Sequence, residues 1–223
     1  MSGLLLLVFI YQLSWRKIKM SEPNPNSRLE AFCDGVFAIA LTLLIIDIKI
    51  PSTTEINNTA DFWHALGHVA PSIFAFILSF IIILITWVNH HASVKLLNGS
   101  SVSFIYANGF LLFTVVFIPF PTSLLGEHIL TDHAAPAVIL YDATLALQAI
   151  GWILFSASAL KNNLGKSEKA IIQTRKSGKF AYFAFSLYSL CAILAIWFPF
   201  VIAIITTLTW IFWLIWGTRV KHE

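Results

Sequence analysis

Charge is scarce in this sequence. Only 11% of its 223 residues are Asp, Glu, Lys or Arg, against about a quarter in ordinary soluble domains. With 58% hydrophobic residues and a mean hydropathy of +0.80, the chain cannot cover a water-facing surface. A soluble enzyme, a disordered tail and a secreted disulfide scaffold are all excluded. Cysteine is scarcer still. Cys33 and Cys191 both lie in apolar segments and offer neither a disulfide framework nor a CxxC motif. Also missing are a glycine-rich phosphate loop, a Ser/His/Asp arrangement and any internal duplication. What remains is an all-α integral membrane protein.

Apolar runs of about 20 residues cross a hydrocarbon core of roughly 30 Å. The sequence predicts six, near residues 31–50, 69–90, 102–125, 135–160, 180–197 and 199–217. Pro199 divides the last two, because proline cannot continue a helical ladder. Six spans place every Lys and Arg except Lys49 on one side of the membrane. Basic residues collect on the cytoplasmic side, so both termini are expected there. The net charge of +3 is thus topological, and no nucleic-acid partner is expected. Residues 1–24 form an N-terminal segment of unassigned role ahead of a single transmembrane domain, 25–223. Gly3 to Leu13 is apolar but only half a span, and its positive charges follow it, unlike a signal peptide.

The first span is unusual. Ser27 and Glu30 have the spacing of a capping box at its start. Asp34 and Asp47 bound its uncharged stretch. Thirteen residues separate their backbones by roughly 20 Å, less than the ~30 Å core. A charged Asp in mid-membrane costs several kcal/mol unless it faces protein or water. This helix is therefore not expected to meet lipid on every side, although local thinning of the bilayer is an alternative. At helical spacing Ile39, Leu43 and Ile46 form an apolar ladder, with Phe32 and Gly35 continuing it, Thr42 beside it and Asp34 on nearly the other side. Spacing alone favours lipid contact or ordinary packing for this ladder. Partners for Asp34 lie at the same depth: Trp87, Asn89, His90 and His91 close the second span, and Tyr106 and Asn108 open the third. A polar cluster of Arg28, Asp34, Trp87, Asn89, His90 and Asn108 is expected.

The run Arg28-Leu29-Glu30-Ala31-Phe32-Cys33-Asp34-Gly35 resembles the Arg-x-x-x-Phe-Ser-Asp signature of the transmembrane protein 175 family of potassium channels. The likeness continues through Val36 to Leu44, the Trp87/Asn89/His90 region and Pro119-Phe120-Pro121. Cys33 departs from it, standing where the family has Ser. The resemblance implies a homotetramer of six-span subunits in a prokaryotic plasma membrane, with the first helix of each subunit lining a central pore. It implies a constriction of Ile39, Leu43 and Ile46, a selectivity position at Thr42, and a signature network including Arg28, Phe32, Cys33 and Asp34. It further implies no enzymatic activity and no cofactor, with potassium and other monovalent cations as permeant ions. Asp47 falls near the external mouth.

Two rival readings draw on the same sequence. A secondary transporter would use Asp34, Asp47, Asp142, His90 and His91 as a proton relay, but no inverted repeat is visible. A metalloenzyme would use His64 and His68, which share a helical face, but the glutamate of the HExxH motif is missing.

Overall fold

The structure, a computed structural model, describes residues 25–46, 48–49 and 56–219. The N-terminal segment 1–24 and Asp47 lie outside the described residues. Seven helices build it: α1 (Ser27–Leu43), α2 (Thr59–Val94), α3 (Val102–Phe117), α4 (Pro119–His128), α5 (Ala134–Lys161), α6 (Glu168–Leu194) and α7 (Pro199–Arg219). The third column changes helix at Ile118, where Pro119 takes the first helical position of α4, a place that needs no N–H donor. Four columns, α2, α3 with α4, α5 and α6, are long and apolar enough to cross a membrane.

Helix ends are set by short polar side chains that satisfy otherwise orphaned N–H groups. Asn58, Ser101 and Ser167 accept from Asp61, Phe104 and Ala170 N–H at the starts of α2, α3 and α6. At α1 the expected capping box does not mark the boundary. Ser27 is already helical and Asn26 holds the cap position without a side-chain cap bond. The Asn26 amide instead donates to the Leu97 carbonyl at 3.2 Å, tying the start of α1 to the loop between α2 and α3. That loop is joined to the loop after α5 by a short bridge, with Asn98 N–H donating to Leu164 O and Lys166 N–H to Leu96 O, both at 2.9 Å.

Two spans are longer than their apolar runs. α2 begins at Thr59, ten residues ahead of the expected span, and runs through Pro71. α6 begins at Glu168, so Lys169, Arg175, Lys176 and Lys179 are helical rather than in a loop. The physical reason is a stripe of small residues inside the charged stretch. Ala170, Thr174, Gly178 and Ala181 are buried at helical spacing, and the basic side chains point away from that stripe.

α5 is the hub, packing on α3, α4, α6 and α7, with its longest interface against α6. Close backbone approach is bought with glycine. A Cβ on Gly151 would lie 2.9 Å from the Leu111 Cα, and one on Gly126 would lie 2.7 Å from the Ser72 Cα. Small residues at helix crossings are the usual means of close packing in membranes. α1 stands apart from this hub. It packs on α2 and α3.

Candidate functional site

Three faces of α1 have different environments. Cys33, Phe37 and Ala40 are buried, and Leu44 just beyond the helix continues the stripe. This is the face that docks on α2 and α3. About a third of a turn away lies the apolar ladder. Ile39 is 58% exposed, Ile46 72%, Phe32 63% and Leu43 37%. Asp34 is half-buried and lies about 140° from Ile39 at 100° per residue. The ladder therefore faces away from the other helices, while Asp34 sits where partners reach it.

Those partners form two linked pairs. Trp87 Nε1–H donates to Asp34 Oδ1 at 2.7 Å, and a charge-assisted bond of that length is a strong one. His90 Nε2 meets Asn108 Oδ1 at 2.7 Å, and Asn108 Nδ2–H donates to Cys33 Sγ at 3.2 Å. His90 is also wedged between Phe37 and Phe155, at ring separations of 5.4 and 5.7 Å. Adjacent residues of α1, Cys33 and Asp34, are thus gripped by α3 and α2 respectively. Trp87 and His91 stack at 5.9 Å on the outer side.

Arg28 and Asn89 do not join this cluster. Both are exposed, and neither makes a hydrogen bond or ion pair among the described residues. Helical phase accounts for this. Asn89 is turned 100° from the buried His90, and Arg28 about 140° from the buried Cys33. Thr42 is exposed beside the ladder, and its hydroxyl donates to the Ile39 carbonyl at 2.9 Å. With its proton given to that carbonyl, the exposed hydroxyl oxygen is left as an acceptor.

At the opposite end of the bundle Lys49, in the segment that follows α1, pairs with Glu127 of α4. Deeper in the bundle, sequence reasoning missed a hydroxyl cluster. Ser79 meets Thr122 at 2.6 Å and Tyr141 at 3.0 Å, joining α2, α4 and α5. These residues are 43 and 62 positions apart, and nothing in their local sequence signals the pairing. His64 and His68 stack edge to face at 4.7 Å. Among the described residues, no three His, Cys, Asp or Glu side chains converge as a metal site.

Comparison with known proteins adds three findings. A family model described as "Endosomal/lysosomal potassium channel TMEM175" matches residues 28–119, which hold all of α1 but Ser27, all of α2 and α3, and the clasp formed by Cys33, Asp34, Trp87, His90 and Asn108. Potassium channels of Chamaesiphon minutus and Streptomyces collinus are each 41% identical, over 133 and 137 residues. Those matches cover 60% and 59% of this chain and 65% of each relative's length. The crystal structure of a lysosomal potassium-selective channel TMEM175 homolog from Chamaesiphon minutus superposes with a TM-score of 0.76 at 32% identity. It covers 85% of this chain and 96% of that one.

Proposed function

Since this chain belongs to the TMEM175 family, we propose that it is a potassium-permeable cation channel whose pore is walled by α1 from each of four copies. The observation that carries this reading is the division of α1. The helix is clamped to its own subunit through Cys33 and Asp34, while Ile39, Leu43 and Ile46 stand uncovered. One subunit supplies one wall, so a closed pore needs copies around an axis.

A ring of Ile39, with Leu43 and Ile46 beyond it, closes the passage by excluding water. A narrow apolar constriction dewets, and an ion cannot shed its hydration shell there without replacement ligands. A small outward tilt of α1 rewets it. Thr42 supplies such a ligand, because its exposed hydroxyl oxygen is left as an acceptor with its proton already donated to Ile39 O. Asp47, which follows Ile46 in the sequence, concentrates cations at the external mouth. Nearly all the Lys and Arg residues fall on the other side, and this bias supports a cytoplasmic location for both termini. The membrane is a prokaryotic plasma membrane.

Flux from purified protein in liposomes tests this reading. Potassium flux that rises with the gradient without a coupled counter-ion is expected. Saturable flux that needs a second ion would instead identify a transporter.

A further inference from the structure

Lys179 is the last charged residue of α6, and the next one along the chain is Arg219. The hydrocarbon layer therefore begins just below Lys179. Phe180, Tyr182 and Phe183 are exposed there, and tyrosine is enriched at membrane interfaces. The turns above are basic, with Lys169, Arg175, Lys176 and Lys179 all exposed on one continuous helix. Between Asp142 and Glu223 the only acidic residue is Glu168. Arg175, Lys176 and Lys179 make no ion pair or side-chain hydrogen bond among the described residues. Lys176 Nζ instead lies 6.0 Å from the centre of the Phe180 ring, a cation–π contact at the hydrocarbon boundary.

Helical phase sorts these groups. The buried side of α6 carries Ala170, Thr174, Gly178 and Ala181. At 100° per residue, Arg175, Lys179 and Tyr182 fall within about 60° of one another on the opposite side. Their i, i+4, i+7 spacing makes them neighbours on the helix surface. Helical side chains lean toward the N-terminus, which carries the Tyr182 hydroxyl from the hydrocarbon boundary toward the two cations. A planar donor fork, a point charge and a neutral hydroxyl together suit a phosphate. Below them the same side is apolar and exposed at Leu190 and Ile193. Ser186 between them is no obstacle, since its hydroxyl donates to the Tyr182 carbonyl at 3.1 Å.

We infer that this side of α6 binds an anionic phospholipid. Arg175, Lys179 and Tyr182 donate to its phosphate, Lys176 adds charge beside them, and an acyl chain lies along Leu190 and Ile193. A basic cluster directly outside a span attracts anionic lipid, by about fivefold in affinity for each Lys or Arg. A zwitterionic lipid presents the same phosphate but carries its own ammonium, which these cations repel. α6 packs on α5 and α7, whereas α1 packs on α2 and α3. The site is thus separate from the α1 ladder and does not rest on the channel reading.

The test is native mass spectrometry of the full chain in detergent, titrated with phosphatidylglycerol or with phosphatidylethanolamine of identical chains. One saturable phosphatidylglycerol adduct per chain is expected, tighter than phosphatidylethanolamine by about fivefold or more. Arg175→Gln with Lys179→Gln is expected to abolish that preference, and Tyr182→Phe to weaken phosphatidylglycerol by about threefold or more. Lys161→Gln with Lys169→Gln removes the same charge away from this side of α6. It is expected to change phosphatidylglycerol affinity by no more than about twofold, because distant exposed charges are screened. All of these positions are exposed, so the variants are expected to fold. Equal affinity of the wild type for the two lipids would overturn the inference. So would an equal loss from the two double variants, which would make the attraction a diffuse property of the basic end. Wild-type binding by the Arg175/Lys179 variant, as when a neighbouring copy covers this side, would overturn it as well.

Discussion

Trp87 and Asp34, 53 residues apart in the chain, are joined by a 2.7 Å hydrogen bond from the indole N–H to a carboxylate oxygen. This bond decides which way α1 faces. It holds one flank of the helix against α2, and at 100° per residue that leaves Ile39 and Ile46 turned outward. Its loss is expected to loosen the first helix without disturbing the α5 hub. Trp87→Phe should lower stability by ~1.5–3 kcal/mol, the range for a hydrogen bond to a charged group, read from thermal unfolding in detergent. Asp34→Ala should cost a similar amount and impair assembly. The double variant should be less destabilised than the sum of the two, by ~1 kcal/mol or more. Strict additivity would show that the two side chains do not act together.

Cys33 accepts from Asn108 at 3.2 Å in a site with 0% exposure. Cys33→Ser supplies a hydroxyl in place of the thiol and should leave thermal stability within ~1 kcal/mol of wild type. Cys33→Val strands a buried amide N–H and should cost ~1–3 kcal/mol. Equal melting temperatures for the Val variant and wild type would remove the thiol from the clasp.

Gly151 and Gly35 make opposite predictions. A Cβ at Gly151 meets the Leu111 backbone at 2.9 Å, whereas a Cβ at Gly35 meets nothing within 4 Å in the subunit. Gly151→Ala should destabilise by ~1–3 kcal/mol through overpacking. Gly35→Ala should gain up to ~1 kcal/mol of helix propensity in the isolated subunit. Any loss of assembly in the Gly35 variant then reports on neighbouring copies. Calorimetry and size-exclusion chromatography on both variants check the pair.

Thr42 is exposed, with its proton committed to the Ile39 carbonyl. Thr42→Val keeps the shape and removes the oxygen. Potassium-over-sodium permeability, measured as reversal potentials in planar bilayers, should fall. An unchanged ratio would leave hydration at the apolar ring as the sole source of discrimination.

Much of α1 was legible because its information is local. Helical spacing separates Ile39, Leu43 and Ile46 from Asp34, and the depth of each residue follows from its place along a span. The same reasoning put Trp87, His90 and Asn108 at the level of Asp34. It overreached at Arg28 and Asn89, which share that depth but not the helical phase. Depth alone does not say which way a side chain points. Charge misled at the start of α6, where Lys169 to Lys179 look like loop until the buried Ala170, Thr174 and Gly178 are seen beneath them. The contacts of Asn26 with Leu97, of Ser79 with Thr122 and of Asp142 with Thr206 join segments 43 to 71 residues apart. They depend on how the helices pack, which no local pattern records.

Whether Ile39 stands at an axis shared by copies of the chain is tested most directly by Ile39→Cys in liposomes. Cys33 and Cys191 are both buried, so the new thiol is the accessible one among the described residues. A charged, membrane-impermeant thiol reagent applied in water should modify position 39 and change potassium flux, with wild type unaffected. Ile39→Asn should meanwhile raise resting leak by wetting the ring. Labelling of position 39 only by a lipid-soluble maleimide, with flux unchanged, would place Ile39 against acyl chains and contradict the account.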